Sequence, residues 1–237
     1  SDAFYLAAMR LSGVNYGVKW VILSEEISNQ IETLELDPDR PLVISDADEV
    51  LLQFMRQFEV YLDRNEMWID LSSFKLQGNI KYKGSDEAVD MTNRNIIDDF
   101  FAAETLNFSP VDGAAEALTA LSQEAQVIIL TNLPIAQKNE RQINLSEHGM
   151  DYPVIVSSGL KGPAVKSLGD KINAPLFFLD DIPHNINSVA EYVPMSGRIH
   201  MIADPRLSKL IGAAEGASAR IDQWQEAQNW ILEKIAK

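Results

Sequence analysis

The chain has 237 residues, 46% of them hydrophobic, enough for one large domain or a core domain carrying an insertion. Asp and Glu outnumber Lys and Arg by 35 to 20, and the formal net charge of -15 disfavours non-specific binding to nucleic acid or to anionic membranes. Cysteine is absent, which excludes disulfides and thiolate metal sites. The three histidines, His148, His184 and His200, lack the spacing of a zinc site. No apolar run is long enough to span a bilayer, and the N-terminal residues lack the basic-then-apolar pattern of a secretory leader. Together these features set the expectation of a cytoplasmic protein.

Trp20, Leu23, Ile27, Ile31 and Leu34 recur at helical spacing and predict an amphipathic helix packed on the core. Asp37 to Pro41 break the chain before an apolar run, Leu42-Val43-Ile44, that reads as a buried strand. The run stops at Asp46 and Asp48. If the extended backbone persists, alternation places both carboxylates on one side of one strand end. Two carboxylates that close raise one another's pKa unless a cation sits between them, and a hard divalent ion such as Mg²⁺ suits oxygen ligands. Taken alone, the same residues also read as a strand followed by an Asp-rich turn.

After Asp48, Leu51, Leu52, Phe54, Met55, Phe58 and Leu62 form the apolar face of a helix. Phe74 to Gly84, bracketed by Gly78 and Gly84, reads as a loop or short hairpin. Ser85-Asp86-Glu87 reads as the start of a helix continuing through Ile96, Ile97, Phe100 and Phe101. Residues 54–108 are thus expected to be a mainly helical insertion. From Pro110 strands and helices alternate. The predicted strands are Val127 to Leu130, Val154 to Val156, Leu176 to Leu179 and Ile199 to Ile202. Helices are predicted after Gly113, over Ile135 to His148 with Gly149 as its cap, over Pro163 to Ile172, over Asn185 to Tyr192, and through Trp224, Ala227, Ile231 and Ile235. This rhythm predicts an α/β fold with a parallel sheet covered on both faces.

Three of the predicted strands end in chemically useful residues: Asp46 and Asp48, then Thr131 followed by Asn132, then Asp180 and Asp181. Open α/β sheets bind ligands at the carboxyl ends of their strands. Lys161 falls in the loop after the third strand and adds a cation. The bland readings stand beside these: Thr131 and Asn132 as local caps, Lys161 as a solvated lysine with Lys166 as its rival, Asn185 as a helix N-cap, and His184 as a packing residue. Lys81, Tyr82 and Lys83 read either as a solvated loop or as a group reaching a substrate phosphate.

In this order the motifs resemble those of the haloacid dehalogenase-like superfamily, in its phosphatase branch. Asp46-Ala47-Asp48-Glu49-Val50 resembles the first motif, Val127 to Thr131 the second, Lys161 before Pro163 the third, and Leu179-Asp180-Asp181 the fourth. The likeness runs from about residue 40 to 202. Glu49 departs from it, standing where such phosphatases usually carry glycine. The resemblance implies a Rossmann-like parallel sheet core flanked by helices, built from residues 1–53 and 109–237, with residues 54–108 as a small helical cap. It further implies that Asp46 is the nucleophile, Asp48 the acid and base, and Thr131, Asn132 and Lys161 the holders of the phosphoryl group. Asp46, the Asp48 carbonyl and an acid of the last pair, Asp181 rather than Asp180, would hold Mg²⁺. The implied substrate is a small phosphorylated metabolite. A phosphomutase and a catalytically silent metal- or phosphate-binding protein are the alternatives on the same fold. A receiver domain of the signalling type uses similar residues, but in a different order.

Overall fold

The computed structural model describes residues 23–91 and 95–237. Trp20, placed by the sequence on the first helix, lies outside them. Helix α1 covers Glu25–Glu32, starts at Ser24, whose hydroxyl accepts the Ile27 N–H, and buries Ile27 and Ile31.

The core is a six-stranded parallel sheet in the order β5-β4-β1-β6-β7-β8. Its strands are β1 (Leu42–Ser45), β4 (Gln126–Thr131), β5 (Val154–Val156), β6 (Leu176–Asp180), β7 (Gly197–His200) and β8 (Ala219–Arg220). Strand β1 is central. It pairs in parallel with β4, Ser45 opposite Ile129, and with β6, Ser45 opposite Leu179. All four residues of β1 are buried, as expected of a strand covered on both faces. Strand alternation divides its side chains. Val43 joins Val127, Ile129, Phe177 and Leu179 in one apolar cluster, and Leu42 and Ile44 join Ile128, Leu130 and Phe178 in the other.

Helices α4 (Ala114–Glu124) and α9 (Trp224–Ile235) cover the first face through Leu118, Leu121, Trp224 and Ile231. Helices α1, α6 (Gly162–Gly169) and α7 (Pro183–Tyr192) cover the second through Ile31, Val165, Leu168 and Val189. Helix α5 (Lys138–Glu147) follows β4, and a single turn, α8 (Pro205–Ser208), follows β7. Among the described residues no helix is long and apolar enough to cross a membrane. The edge strand β8 is too short to show a period in the sequence, and β7 lies two residues earlier than its apolar run suggested.

Residues 54–108 hold α2 (Phe54–Arg64), an antiparallel pair of β2 (Met67–Ile69) and β3 (Ile80–Tyr82), and α3 (Ile96–Glu104). The expected helix does not begin at Ser85. The Ser85 hydroxyl accepts the Glu87 N–H to close a turn, and Val89 N–H then donates to Ile80 O at 2.8 Å, so this stretch runs beside β3 instead of coiling. Helix starts are where such side-chain turns compete most directly. Phe54, Phe58, Phe100, Phe101 and Phe108 pack together, with Phe58 and Phe100 ring centroids 4.9 Å apart. They belong to the same apolar cluster as Leu118 and Leu121.

Candidate active site

The carboxyl end of β1 sits between those of β4 and β6, so the residues leaving these three strands converge. Asp46 is the first residue beyond β1, and its N–H donates to Leu179 O at 2.9 Å. Asp46, Asp180 and Asp181 are all buried, and each offers one carboxylate oxygen within 4.8 Å of the others. The Lys161 ammonium stands between two of them, 2.7 Å from Asp46 Oδ1 and 2.7 Å from Asp180 Oδ2.

The acidic pair after β6 divides its labour. Asp180 is saturated: Oδ1 accepts the Ile182 N–H at 2.8 Å, the Asn185 amide reaches both oxygens, and Lys161 takes Oδ2. The Asp181 carboxyl points into the acidic cluster. Burial pushes its pKa well up, and Asp180, Asp46 and Glu49 push it further. Its backbone is held by His200, whose Nε2 lies 2.9 Å from Asp181 O while Nδ1 accepts the Ala214 N–H. Asn185 sits inside α7 rather than capping it, and the capping position belongs to Ile182.

Asp46 is raised to about 7. Burial is the main cause, Lys161 opposes it, and Asp180 and Asp48 reinforce it. Burial by itself would lower the Lys161 pKa, but Asp180 and Asp46 outweigh it and the net shift is upward, so this lysine is an ammonium. Lys166, the rival in the sequence, faces outward and pairs with Asp170 at 2.6 Å, one turn along the same helix. The placing of Lys161 depends on Gly162. A Cβ there would come within 2.7 Å of the Ser188 carbonyl, so glycine lets α6 lie against α7 just where the lysine enters the site.

Thr131 is fully buried. Its hydroxyl faces Asp48 but meets no partner in hydrogen-bond geometry. Asn132 accepts the Ser157 hydroxyl at 2.6 Å and donates to Gly159 O at 2.9 Å, which fixes the loop leading to Lys161. In residues 54–108, Lys81 lies 3.6 Å from Asp70 and over the Trp68 ring, and Lys83 pairs with Asp63. His184 is half-buried.

Sequence reasoning missed Arg141. This α5 residue is fully buried and its Nη2 donates to Asp48 Oδ1 at 2.8 Å. Its guanidinium lies over the Phe108 ring at 4.6 Å. Asn144 and His148, one and two turns on, both bond the Phe108 carbonyl. The signal available was a helix whose inward stripe, Arg141, Asn144, Leu145 and His148, is mostly polar while Ile143 is exposed.

Glu49 explains its own departure from the glycine of the resembled motif. Its φ is +60°, the left-handed region where glycine is least strained. The side chain turns inward and Oε2 accepts the Met55 N–H at 2.8 Å, at the start of α2. Burial raises it to about 8. The Met55 bond opposes the rise, and Asp204 and Asp48 add to it. A carboxyl protonated longer in the folded than in the unfolded state weakens the fold as pH climbs from its unfolded pKa towards its folded one. Glu49→Gln is therefore expected to match the parent near pH 4.5. Its advantage should grow to on the order of 1–3 kcal/mol by pH 8 and then level off. Urea titrations in EDTA at a series of pH values check this. A constant difference across the range counts against a buried, late-titrating Glu49.

The parallel sheet, with acids, a hydroxyl and a lysine at the carboxyl ends of its strands, defines a Rossmann-like α/β protein. No protein-family model and no curated protein sequence matches the chain. Solved structures do. A HAD family hydrolase from Deinococcus radiodurans, with bound phosphate and sodium, is similar at TM-score 0.55 and 16% identity, over 83% of this chain and 97% of that one. A haloacid dehalogenase-like family hydrolase from Streptococcus pneumoniae is similar at 0.54 and 11%, over 81% and 98%. A HAD-hydrolase from Bacillus subtilis bound to magnesium is similar at 0.51 and 13%, over 81% and 99%. The chain has the haloacid dehalogenase-like fold.

Proposed function

We propose that this protein is a Mg²⁺-dependent phosphatase that hydrolyses a small phosphorylated metabolite through an aspartyl phosphate. The observation that carries the reading is the buried group of Asp46, Asp180 and Asp181 around the Lys161 ammonium, with the unpartnered Thr131 hydroxyl beside it.

An Asp46 oxygen attacks phosphorus as the bond to the ester oxygen breaks. Asp48 gives its proton to that leaving oxygen. Burial raises the Asp48 pKa against the pull of Arg141, which suits a group that must hold a proton before giving it up. Water then attacks the phosphoaspartate, Asp48 takes its proton, phosphate leaves and the Asp46 carboxylate is regenerated. Thr131 donates to a phosphoryl oxygen. Lys161 offsets the charge building on the phosphoryl oxygens.

The donor set fits a hard divalent cation: three buried carboxylates gather at one point with one ammonium to balance them, and Asp180 is already bonded to Lys161 and Asn185. Asp46, Asp181 and the Asp48 backbone carbonyl would hold Mg²⁺, with Asp180 fixing Lys161 at its side. When bound, the ion supplies positive charge that favours the ionised Asp46 and the crowded phosphoryl oxygens. In this reading residues 54–108 form the cap that closes over the site and selects substrate, and residues 1–53 and 109–237 the core.

The test is phosphate release from a panel of phosphomonoesters by the purified protein. With Mg²⁺, turnover is expected on at least part of the panel. In EDTA it should fall to background and return when Mg²⁺ is added back. A protein that releases no phosphate from any of them with Mg²⁺ present is not this enzyme.

A further inference from the structure

Arg141 has an unsettled inventory. A guanidinium carries five N–H donors. Among the described residues only Nη2 is used, on Asp48, while Nε and Nη1 are buried without a partner. Unmade bonds on a buried cation are costly, and an oxyanion that reaches these donors would make them. Stacking on Phe108 holds the planar group in place but satisfies none of its donors.

The position of Arg141 decides what that acceptor is. Two cations face the acidic cluster. Lys161 is committed to Asp46 and Asp180, where the transferred phosphoryl group would sit. Arg141 touches the other aspartate, Asp48, whose carboxyl is 17% exposed while the arginine behind it is closed off. If Asp48 delivers a proton to the leaving oxygen, Arg141 is one side chain away from the leaving group itself.

We propose that Arg141 is a specificity-determining residue that binds a second anionic group, a carboxylate or a further phosphate, carried by the leaving alcohol close to the ester oxygen. The proposal rests on the phosphatase reading above and names its substrate class: phosphomonoesters of short acidic or doubly phosphorylated alcohols. Planar, bidentate recognition of such oxyanions is what a guanidinium does and an ammonium does not. Among the described residues the carboxylate paired with this buried cation is Asp48.

Three probes built on the same two-carbon alcohol separate the possibilities: ethyl phosphate, 2-phosphoglycolate and ethane-1,2-diyl bisphosphate. With Mg²⁺, kcat/KM of the wild type is expected to favour one or both anionic probes over ethyl phosphate by about tenfold to a hundredfold, the range for a bond to a charged group. Which of the two is preferred distinguishes carboxylate from phosphate. In Arg141→Met that preference should fall to about one, chiefly through KM, and Arg141→Lys should restore it in part. A wild type with no preference, or an Arg141→Met that loses activity on all three equally, overturns the proposal and leaves Arg141 as a support for Asp48. Melting curves identify a variant that fails to fold, in which case Arg141→Lys and Arg141→Gln carry the comparison. Calorimetric titration of Asp46→Asn, with and without Arg141→Met, reads the same preference without turnover. A protein that hydrolyses nothing yet binds 2-phosphoglycolate or the bisphosphate through Arg141 thus refutes the phosphatase reading and the role in choosing a leaving group, and leaves Arg141 as an anion-binding residue; one that hydrolyses phosphomonoesters without this preference refutes only the assignment of Arg141.

Discussion

Replacing Lys161 by Met is expected to be the most destabilising single substitution in the site, by about 3–5 kcal/mol near neutral pH, the usual cost of removing one partner from a buried ion pair. The side chain is 1% exposed and bridges Asp46 and Asp180, with Asp181 close by. A methionine fills a similar volume, so lost packing is a small part of the change. What remains is a knot of buried carboxyls with no counter-charge. They have one way out, which is to take up protons. The cost is therefore expected to be largest at pH 8, where folding must drive protonation against solvent, and to shrink towards pH 5, where protons are plentiful. Saturating Mg²⁺ should recover part of the loss, since it supplies the missing charge from another direction. Urea unfolding of parent and variant at both pH values, with and without the ion, measures all of this. A pH-independent difference points to packing and removes the electrostatic account of the site.

The central strand and its acids were legible because two simple signals coincide there. An unbroken apolar run marks a strand buried on both faces, and a sudden aspartate marks its exit from the core. The same logic located Thr131 and the pair Asp180 and Asp181. Lys161 and Lys166 were harder, because both follow β5 and both belong to one helix segment. What separates them is a packing fact, the approach of α6 to α7 over Gly162, which one sequence does not announce. The saturation of Asp180 by the Ile182 amide, Asn185 and Lys161 is likewise a property of the turn after β6. Arg141 was missed for a different reason. A charged residue in a polar helix reads as solvated, and only the fold brings Phe108 and Asp48 to it from distant parts of the chain. The helix expected from Ser85 failed because a hydroxyl-closed turn and pairing with β3 claimed the backbone first.

Asp46→Asn is expected to lower phosphate release by at least about 10⁴-fold, as loss of a nucleophile does in covalent catalysis. An amide of the same shape keeps an acceptor for the Ala47 N–H, which bonds Asp46 Oδ1 at 2.7 Å, and Lys161 keeps Asp180. Collapse of the fold is therefore not the expected cause of inactivity. The opposite is predicted for the metal-free protein. Burial raises Asp46 to about 7, far above an unfolded aspartate near 3.8, so its ionised form opposes folding increasingly as pH rises through that interval. A neutral amide avoids this penalty, and the variant in EDTA at pH 8 should be the more stable by on the order of 2 kcal/mol. With Mg²⁺ the ranking should reverse, because the wild type gains stability from binding and the variant has lost one carboxylate of the set. At a hundred times its dissociation constant the ion is worth about 2.7 kcal/mol to whichever form binds it. Activity, stability in EDTA and the Mg²⁺-induced shift in melting temperature thus move independently. A folded variant that still releases phosphate removes Asp46 from the role of nucleophile, and one that keeps the full Mg²⁺ shift removes it from the role of metal ligand.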